Sequence, residues 1–405
     1  MNIVVIGGGH AAAQLCSLLG EKGLGGQTQM VCEEAELPYH RPPLSKTYLK
    51  SEAEALALHR TGDWFAERSI RIHSADPAVA IDRAAKTVTL HSGTVLPYDQ
   101  LVLATGTRAR RLPHLDPALQ NVAVLRDAVD AAALRSRLAR MAGAAGSRLT
   151  VLGGGFIGLE IAATARVLGL EVEVLEGMPR LLARSVSPEL AAHVLEHHRA
   201  SGVDIRLGVK VDGFESEAGV LESLTVDGVR QPVQLLVMGI GAVPETALAQ
   251  AAGLEVDNGI VVDASLRTSD PAIFAIGDCT SFPAAGGRRL RLESVQNAND
   301  QAKTAAAVLA GETAQYKAVP WFWSEQGSMR LQMVGLLPAQ PSTHKRPGAT
   351  PQSFSLFHYD GERLACVESA NAPLDHMMAR RMLDAGKSPA AQQVADPAVP
   401  LKTLT

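Results

Sequence analysis

The sequence predicts an α/β protein with two copies of a βαβ unit and a C-terminal α+β domain. Three observations carry that prediction. Ile3-Val4-Val5-Ile6-Gly7-Gly8-Gly9-His10-Ala11-Ala12 and Leu149-Thr150-Val151-Leu152-Gly153-Gly154-Gly155-Phe156-Ile157-Gly158 share one pattern: an apolar β-prone run, a glycine cluster, then a helix-forming stretch. Each leads to a second apolar run ending in acid, Gln29-Met30-Val31-Cys32-Glu33 and Val172-Glu173-Val174-Leu175-Glu176. After Trp321 the texture changes. Phe354–Tyr359, the turn Asp360-Gly361 and Leu364–Val367 read as a hairpin, and Pro373 to Gly386 reads as a helix.

Each glycine has a physical task. Gly7 and Gly153 allow the tight turn out of the strand. Gly9 and Gly155 carry no side chain, so a pyrophosphate can approach the backbone. The third position, Ala12 in the first copy and Gly158 in the second, lets helix pack closely on strand. Phosphates then meet free N–H groups and the positive end of the helix dipole. Glu33 and Glu176 follow the first glycine at close to the separation of about 20 residues that suits an acid bonding the ribose hydroxyls. Two such fingerprints, each in full βαβ context, predict two Rossmann-like units and two cofactors exchanging electrons. Further strands fit: Leu101 to Thr107, Leu235 to Gly241, and Ile273 to Asp278, whose carboxyl ends are where open α/β sheets bind ligands.

A chain of 405 residues suggests two or three domains, and 46% apolar with 20% charged residues is ordinary globular composition. A net charge of -4 gives no support for nucleic-acid binding. Cys16, Cys32, Cys279 and Cys366 lie far apart, so no disulfide framework, thiol relay or zinc site is expected, and no metal. The apolar N-terminus lacks a preceding basic residue and is interrupted by glycines, unlike a signal peptide. No uninterrupted apolar run reaches membrane-spanning length. The expected location is the cytoplasm.

More specific segments are Pro38-Tyr39-His40-Arg41-Pro42-Pro43-Leu44-Ser45-Lys46, Ala104-Thr105-Gly106, Gly153 to Glu160, Thr268 to Cys279, Glu293 to Ala298 and Pro320-Trp321-Phe322-Trp323-Ser324. Through them the chain resembles, nearly end to end, the putidaredoxin-reductase-like ferredoxin reductases that serve aromatic-ring dioxygenases and bacterial haem-thiolate monooxygenases. The resemblance implies a glutathione-reductase-like architecture. Residues 1–112 and 245–318 would form a split FAD domain, 113–244 an NAD domain and 319–405 the C-terminal domain. It implies FAD contacts from Gly7, Gly9, His10, Ala11, Ala12, Glu33, Arg41, Lys46 and Val79. Ala104, Thr105, Gly106, Gly277, Asp278, Ser294, Val295 and Trp323 would complete that site. NAD would meet Gly153, Gly155, Phe156, Ile157, Gly158, Glu160, Glu176 and Arg184, with Gly239, Ile240 and Gly241. Lys46 and Glu160 resemble the family's catalytic pair beside flavin and nicotinamide. The implied activity takes a hydride from NADH to FAD and passes single electrons to a small 2Fe–2S ferredoxin that feeds an oxygenase.

Plainer readings stand beside these. Lys46 and Glu160 could be solvated surface charges. Arg41 could hold FAD phosphate or solvate a loop, and Arg180 and Arg184 could serve NAD phosphates or cap a helix. Trp321 and Trp323 could be packing anchors. Two other functions compete. A peroxide- or oxygen-reducing flavoenzyme needs a reactive cysteine where this chain has Leu44-Ser45-Lys46. An apoptosis-inducing-factor-like protein shares the Pro-Pro-Leu-Ser-Lys segment, but the net charge of -4 and the expected lack of a targeting peptide and of a long basic insertion argue against that reading.

Overall fold

The computed structural model describes residues 1–284 and 287–405. It has two compact units. The first comprises Met1–Arg41, Leu56–Arg108 and Ala242–Ala318, the second Pro42–Ala55, Ala109–Gly241 and Val319–Thr405.

The first unit is built on a five-stranded parallel sheet. Its spatial order is Ile273–Ala275, Gln100–Leu103, Ile3–Ile6, Thr28–Val31, Arg71–His73. Ile3–Ile6 is central and buried on both faces, as a continuous apolar run requires when both faces of a sheet are covered. It pairs with Thr28–Val31 on one side and Gln100–Leu103 on the other, so the chain leaves its carboxyl end at a switch point. Two helices, His10–Glu21 and Val295–Leu309, pack on one another. The second buries Ala298, Ala302, Ala305, Ala306 and Leu309, the three-to-four spacing of one helix face. A small antiparallel sheet, Ala78–Asp82, Thr87–Leu90 and Val95–Pro97, completes the unit's main sheets.

The second unit repeats the pattern. Its parallel sheet runs Val203–Leu207, Glu171–Glu176, Arg148–Leu152, Leu235–Met238, Val122–Ala123, again with the strand before the glycine turn at the centre. Another three-stranded antiparallel sheet follows, Val211–Glu217, Val220–Val226 and Val229–Pro232. The same unit holds a five-stranded antiparallel sheet ordered Trp321–Gln326, Met329–Gly335, Arg363–Ala370, Phe354–Asp360, Ser342–Pro347. The hairpin expected around Asp360-Gly361 is present, with Gly361 at φ 62°. The helix after it ends at Asp384, with Gly386 at φ 66° just beyond. Buried Glu368 ties this sheet to the helix Pro188–Ala200. It accepts the Ser187 N–H at 2.8 Å and the Ser187 hydroxyl, and lies 3.0 Å from His358 Nε2. Among the described residues no helix is long and apolar enough to cross a membrane.

Three histidines, His198 and His376 buried and His59 half-buried, set a pH limit on the fold. Burial holds His59, His198 and His376 down to about 4. In the unfolded chain each returns to the ordinary value of about 6.5. The unfolded state therefore binds more protons between those values, and the stability these groups contribute is full above pH 6.5 and lost as pH falls toward 4. The midpoint of urea unfolding should fall steadily over that window. A flat or rising midpoint there would contradict the assignment of neutral buried imidazoles.

Candidate nucleotide and redox sites

In the first glycine turn, Gly7 adopts φ +131°, and a Cβ there would lie 2.2 Å from the Ala104 carbonyl oxygen. No side chain fits. Gly9 differs. Its backbone is extended (φ -87°), open to any residue, and a Cβ would find only Arg41 Nε at 3.9 Å. The fold itself does not require glycine at this point. Gly9 caps the helix His10–Glu21 without a side-chain hydrogen bond, whereas Thr61, Asp127, Ser187 and Ser294 cap theirs with an oxygen. A helix N-terminus capped in this way suits an anion. His10, Ala11 and Ala12 are buried.

Other expected FAD residues of this unit fall as follows. Thr105 donates its hydroxyl to the Glu245 carbonyl at 2.6 Å, and Gly106 turns at φ +67°. Gly277 N–H donates to Gln301 Oε1 at 2.7 Å, with half-buried Asp278 next in the same 3-10 turn. Ser294 caps the helix that begins at Val295 by accepting from Asn297 N–H at 3.0 Å. Arg41 pairs with Glu34 at 2.5 Å. Glu33 is exposed past the end of Thr28–Val31, and Val79 is 51% exposed on the small sheet.

The second turn, in the other unit, has the same design. Gly153 sits at φ +106° with its Cβ position 2.5 Å from the Gly239 oxygen, and a Cβ on Gly158 would lie 2.3 Å from the Gly153 oxygen. Gly155 is again extended (φ -82°), its nearest neighbour the Gly239 oxygen at 3.7 Å, and it too caps its helix with no side-chain bond. Phe156 packs on Phe322 at 4.6 Å, and Ile157 is exposed. Glu176, at the end of its strand, accepts the Gly154 N–H at 2.6 Å and the Met178 N–H at 2.7 Å. That fixes the carboxylate beside the turn with lone pairs to spare for ribose hydroxyls. Gly239 and Ile240 follow the strand Leu235–Met238, and Gly241 turns at φ +102° in open space. Arg180 is spent on the Ala183 and Val186 carbonyls, while Arg184 is exposed.

Lys46 and Glu160 meet within the second unit, so the surface reading fails for both. Lys46 Nζ lies 2.6 Å from Glu160 Oε2, at 16% and 4% side-chain exposure. The sequence reading missed what completes the site. Ser45 Oγ donates to the same oxygen at 2.5 Å, and Ser324 Oγ donates to Glu160 Oε1 at 2.6 Å. Lys46 also donates to the Pro42 carbonyl at 3.0 Å, and Thr164 Oγ1 donates to the Ser45 carbonyl at 2.8 Å. Behind Ser324, Gln326 Nε2 lies at 3.3 Å and its Oε1 meets His198 Nε2 at 2.8 Å. A buried carboxylate with three donors, one of them an ammonium, is held in one place. Lys46 and Trp323 line a cavity of about 270 Å³ with Pro42, Lys50, Thr164 and Glu325. Trp321 stacks near Trp323 at 5.6 Å and under Arg380 at 4.3 Å.

All four thiols are buried and none is in a disulfide. Burial pushes Cys32 up to about 12 and raises Cys16, Cys279 and Cys366 as well. None is a reactive thiolate.

Comparison with known proteins places these sites in context. Residues 1–302 match the family described as pyridine nucleotide-disulphide oxidoreductase, and 321–405 match the reductase C-terminal family. The chain is 44% identical to rhodocoxin reductase of Rhodococcus erythropolis, covering 99% of this chain and 94% of that protein. It is 40% identical to the ferredoxin–NAD(+) reductase component of the anthranilate 1,2-dioxygenase system of Burkholderia cepacia, over 99% and 98%. The crystal structure of the covalent putidaredoxin reductase–putidaredoxin complex superposes with a TM-score of 0.93 at 38% identity, covering 100% and 97% of the two chains.

Proposed function

The chain belongs to the pyridine nucleotide-disulphide oxidoreductase family, among its putidaredoxin-reductase-like ferredoxin reductases, and from that premise we propose that it is a cytoplasmic NADH:ferredoxin reductase serving an oxygenase. Members of this family use FAD and NAD(H). FAD, when bound, would take one hydride, an electron pair, from NADH and release the two electrons singly, as a 2Fe–2S ferredoxin requires.

One observation carries the choice of electron acceptor. In the loop where a peroxide-reducing flavoenzyme needs a reactive cysteine, Ser45 and Lys46 are committed to Glu160, and the four thiols lie buried elsewhere. No thiol relay is available, which favours a one-electron carrier at the protein surface.

The residues have separate tasks in this reading. Gly9 leaves room for the FAD pyrophosphate, and Gly155 for that of NAD. The Ser294-capped helix turns its positive end toward the flavin pyrimidine. Lys46, held by Glu160, places a cation where negative charge develops. Trp323 belongs to the face from which electrons leave. The division into 1–112 with 245–318 for FAD, 113–244 for NAD and 319–405 for the acceptor side goes with this assignment.

Glu176 decides between NADH and NADPH. Anchored by two N–H groups, it bonds a ribose 2′-hydroxyl and repels a 2′-phosphate. NADH should exceed NADPH in kcat/KM by at least about tenfold, a difference of ~1.4 kcal/mol. Glu176→Gln should narrow the gap chiefly by improving NADPH. Equal values for the two nucleotides in the wild type would remove Glu176 from the ribose.

A further inference from the structure

His10, His40 and His59 bring one ring nitrogen each to within 4.8 Å of one another. Their ring centroids are 5.4 Å apart for His10–His40, 4.5 Å for His10–His59 and 3.9 Å for His40–His59. One compact unit supplies all three. His10 opens the helix His10–Glu21. His40 and His59 flank the antiparallel bridge Tyr39↔Leu58. His40 N–H donates to the Ala57 carbonyl, and His59 N–H to the Pro38 carbonyl, each at 2.8 Å. The backbone thus sets the spacing of two rings, and the third comes from a helix terminus.

Edge-to-face packing of His10 on His40 and on His59 accounts for part of this cluster. It does not account for His59 Nε2, which is buried with no hydrogen-bond partner among the described residues. A buried polar atom left unpaired is costly. A ligand that accepts the lone pair of a ring nitrogen removes that cost.

We propose that His10, His40 and His59 form a binding site for one zinc-class divalent cation, with a fourth coordination position open to water. Imidazole donors suit zinc, nickel or copper and not magnesium or calcium, which take oxygen ligands. Zinc–nitrogen bonds of about 2.0–2.1 Å in a tetrahedral set require the three nitrogens to draw together from their spacing of up to 4.8 Å. His40 is exposed and provides the entrance. Two cations stand nearby and set the limit on affinity. Arg41 is paired with Glu34, and Arg60 donates to the His59 carbonyl at 2.9 Å and lies over the Trp64 ring.

The test is equilibrium dialysis of the chelator-treated, FAD-loaded protein against zinc chloride, with magnesium chloride as control. One zinc per chain and no magnesium is the expected result. His40→Gln and His59→Gln should each weaken zinc binding by at least about tenfold, the size of loss that even an outer-shell change can cause, with FAD content unchanged. Less than half a zinc per chain in the wild type overturns the site, as does wild-type zinc affinity in both variants. If either variant loses FAD, the wild-type protein decides. Zinc should raise its thermal midpoint where equal magnesium does not, and no rise overturns the proposal.

Discussion

Gly9→Val is expected to yield a folded protein that does not hold FAD. The backbone at Gly9 is extended, which suits a β-branched residue. The nearest protein atom to a new Cβ is Arg41 Nε at 3.9 Å. The variant costs the apoprotein little and fills the space left for the pyrophosphate, so FAD affinity should fall at least about 100-fold, or ~2.7 kcal/mol. Gly7→Val is the contrasting case. Its Cβ would lie 2.2 Å from a backbone oxygen at φ +131°, so that variant should lose the fold itself. Flavin absorbance after reconstitution, read beside the unfolding midpoint of each apoprotein, separates the two. Normal FAD content in Gly9→Val would place the pyrophosphate elsewhere.

Lys46→Met should slow reduction of the flavin by NADH by about 10- to 100-fold, the worth of one charge-assisted hydrogen bond of ~1.5–3 kcal/mol. It also leaves Glu160 buried with only Ser45 and Ser324 as donors, a loss of about 3–5 kcal/mol in stability. Adding Glu160→Gln to Lys46→Met should restore much of the stability and none of the rate. Ser324→Ala removes the donor to the second carboxylate oxygen and should give a smaller loss of rate at an intact Lys46. Stopped-flow absorbance and urea unfolding on the same preparations test both effects. A double variant that recovers the rate would make the lysine a structural residue only.

The βαβ units were legible because their signals are local. Gly7 and Gly153, the apolar runs before them and the acids after them lie within single short segments, and both central strands sit where those runs predict. The two small antiparallel sheets were not legible. The strands of the first sheet are short, those of both sheets are half-exposed, and the bulges at Ala78/Ala80 and Val211/Gly213 break the alternation that would reveal them. Lys46 and Glu160 were found through the segments that resemble the family, but Ser45, Thr164 and Ser324 were not. A serine or threonine hydroxyl carries no sequence sign of burial, and Ser324 reaches Glu160 only through pairing in the antiparallel sheet. The histidine cluster was hidden for the same reason: the bridge Tyr39↔Leu58 joins residues whose spacing has no helical or strand period.

The central claim is that electrons enter from NADH and leave singly to an iron–sulfur carrier. Single-turnover stopped flow tests it most directly. The FAD-loaded protein is reduced anaerobically with one equivalent of NADH, then mixed with an oxidised 2Fe–2S ferredoxin or with air-saturated buffer. Flavin reoxidation by ferredoxin should be at least about 100-fold faster than by oxygen, a barrier difference of ~2.7 kcal/mol, with the ferredoxin bleaching at the same rate. Reoxidation by oxygen as fast as by every ferredoxin tried, without iron–sulfur bleaching, would contradict it and make the protein an NADH oxidase.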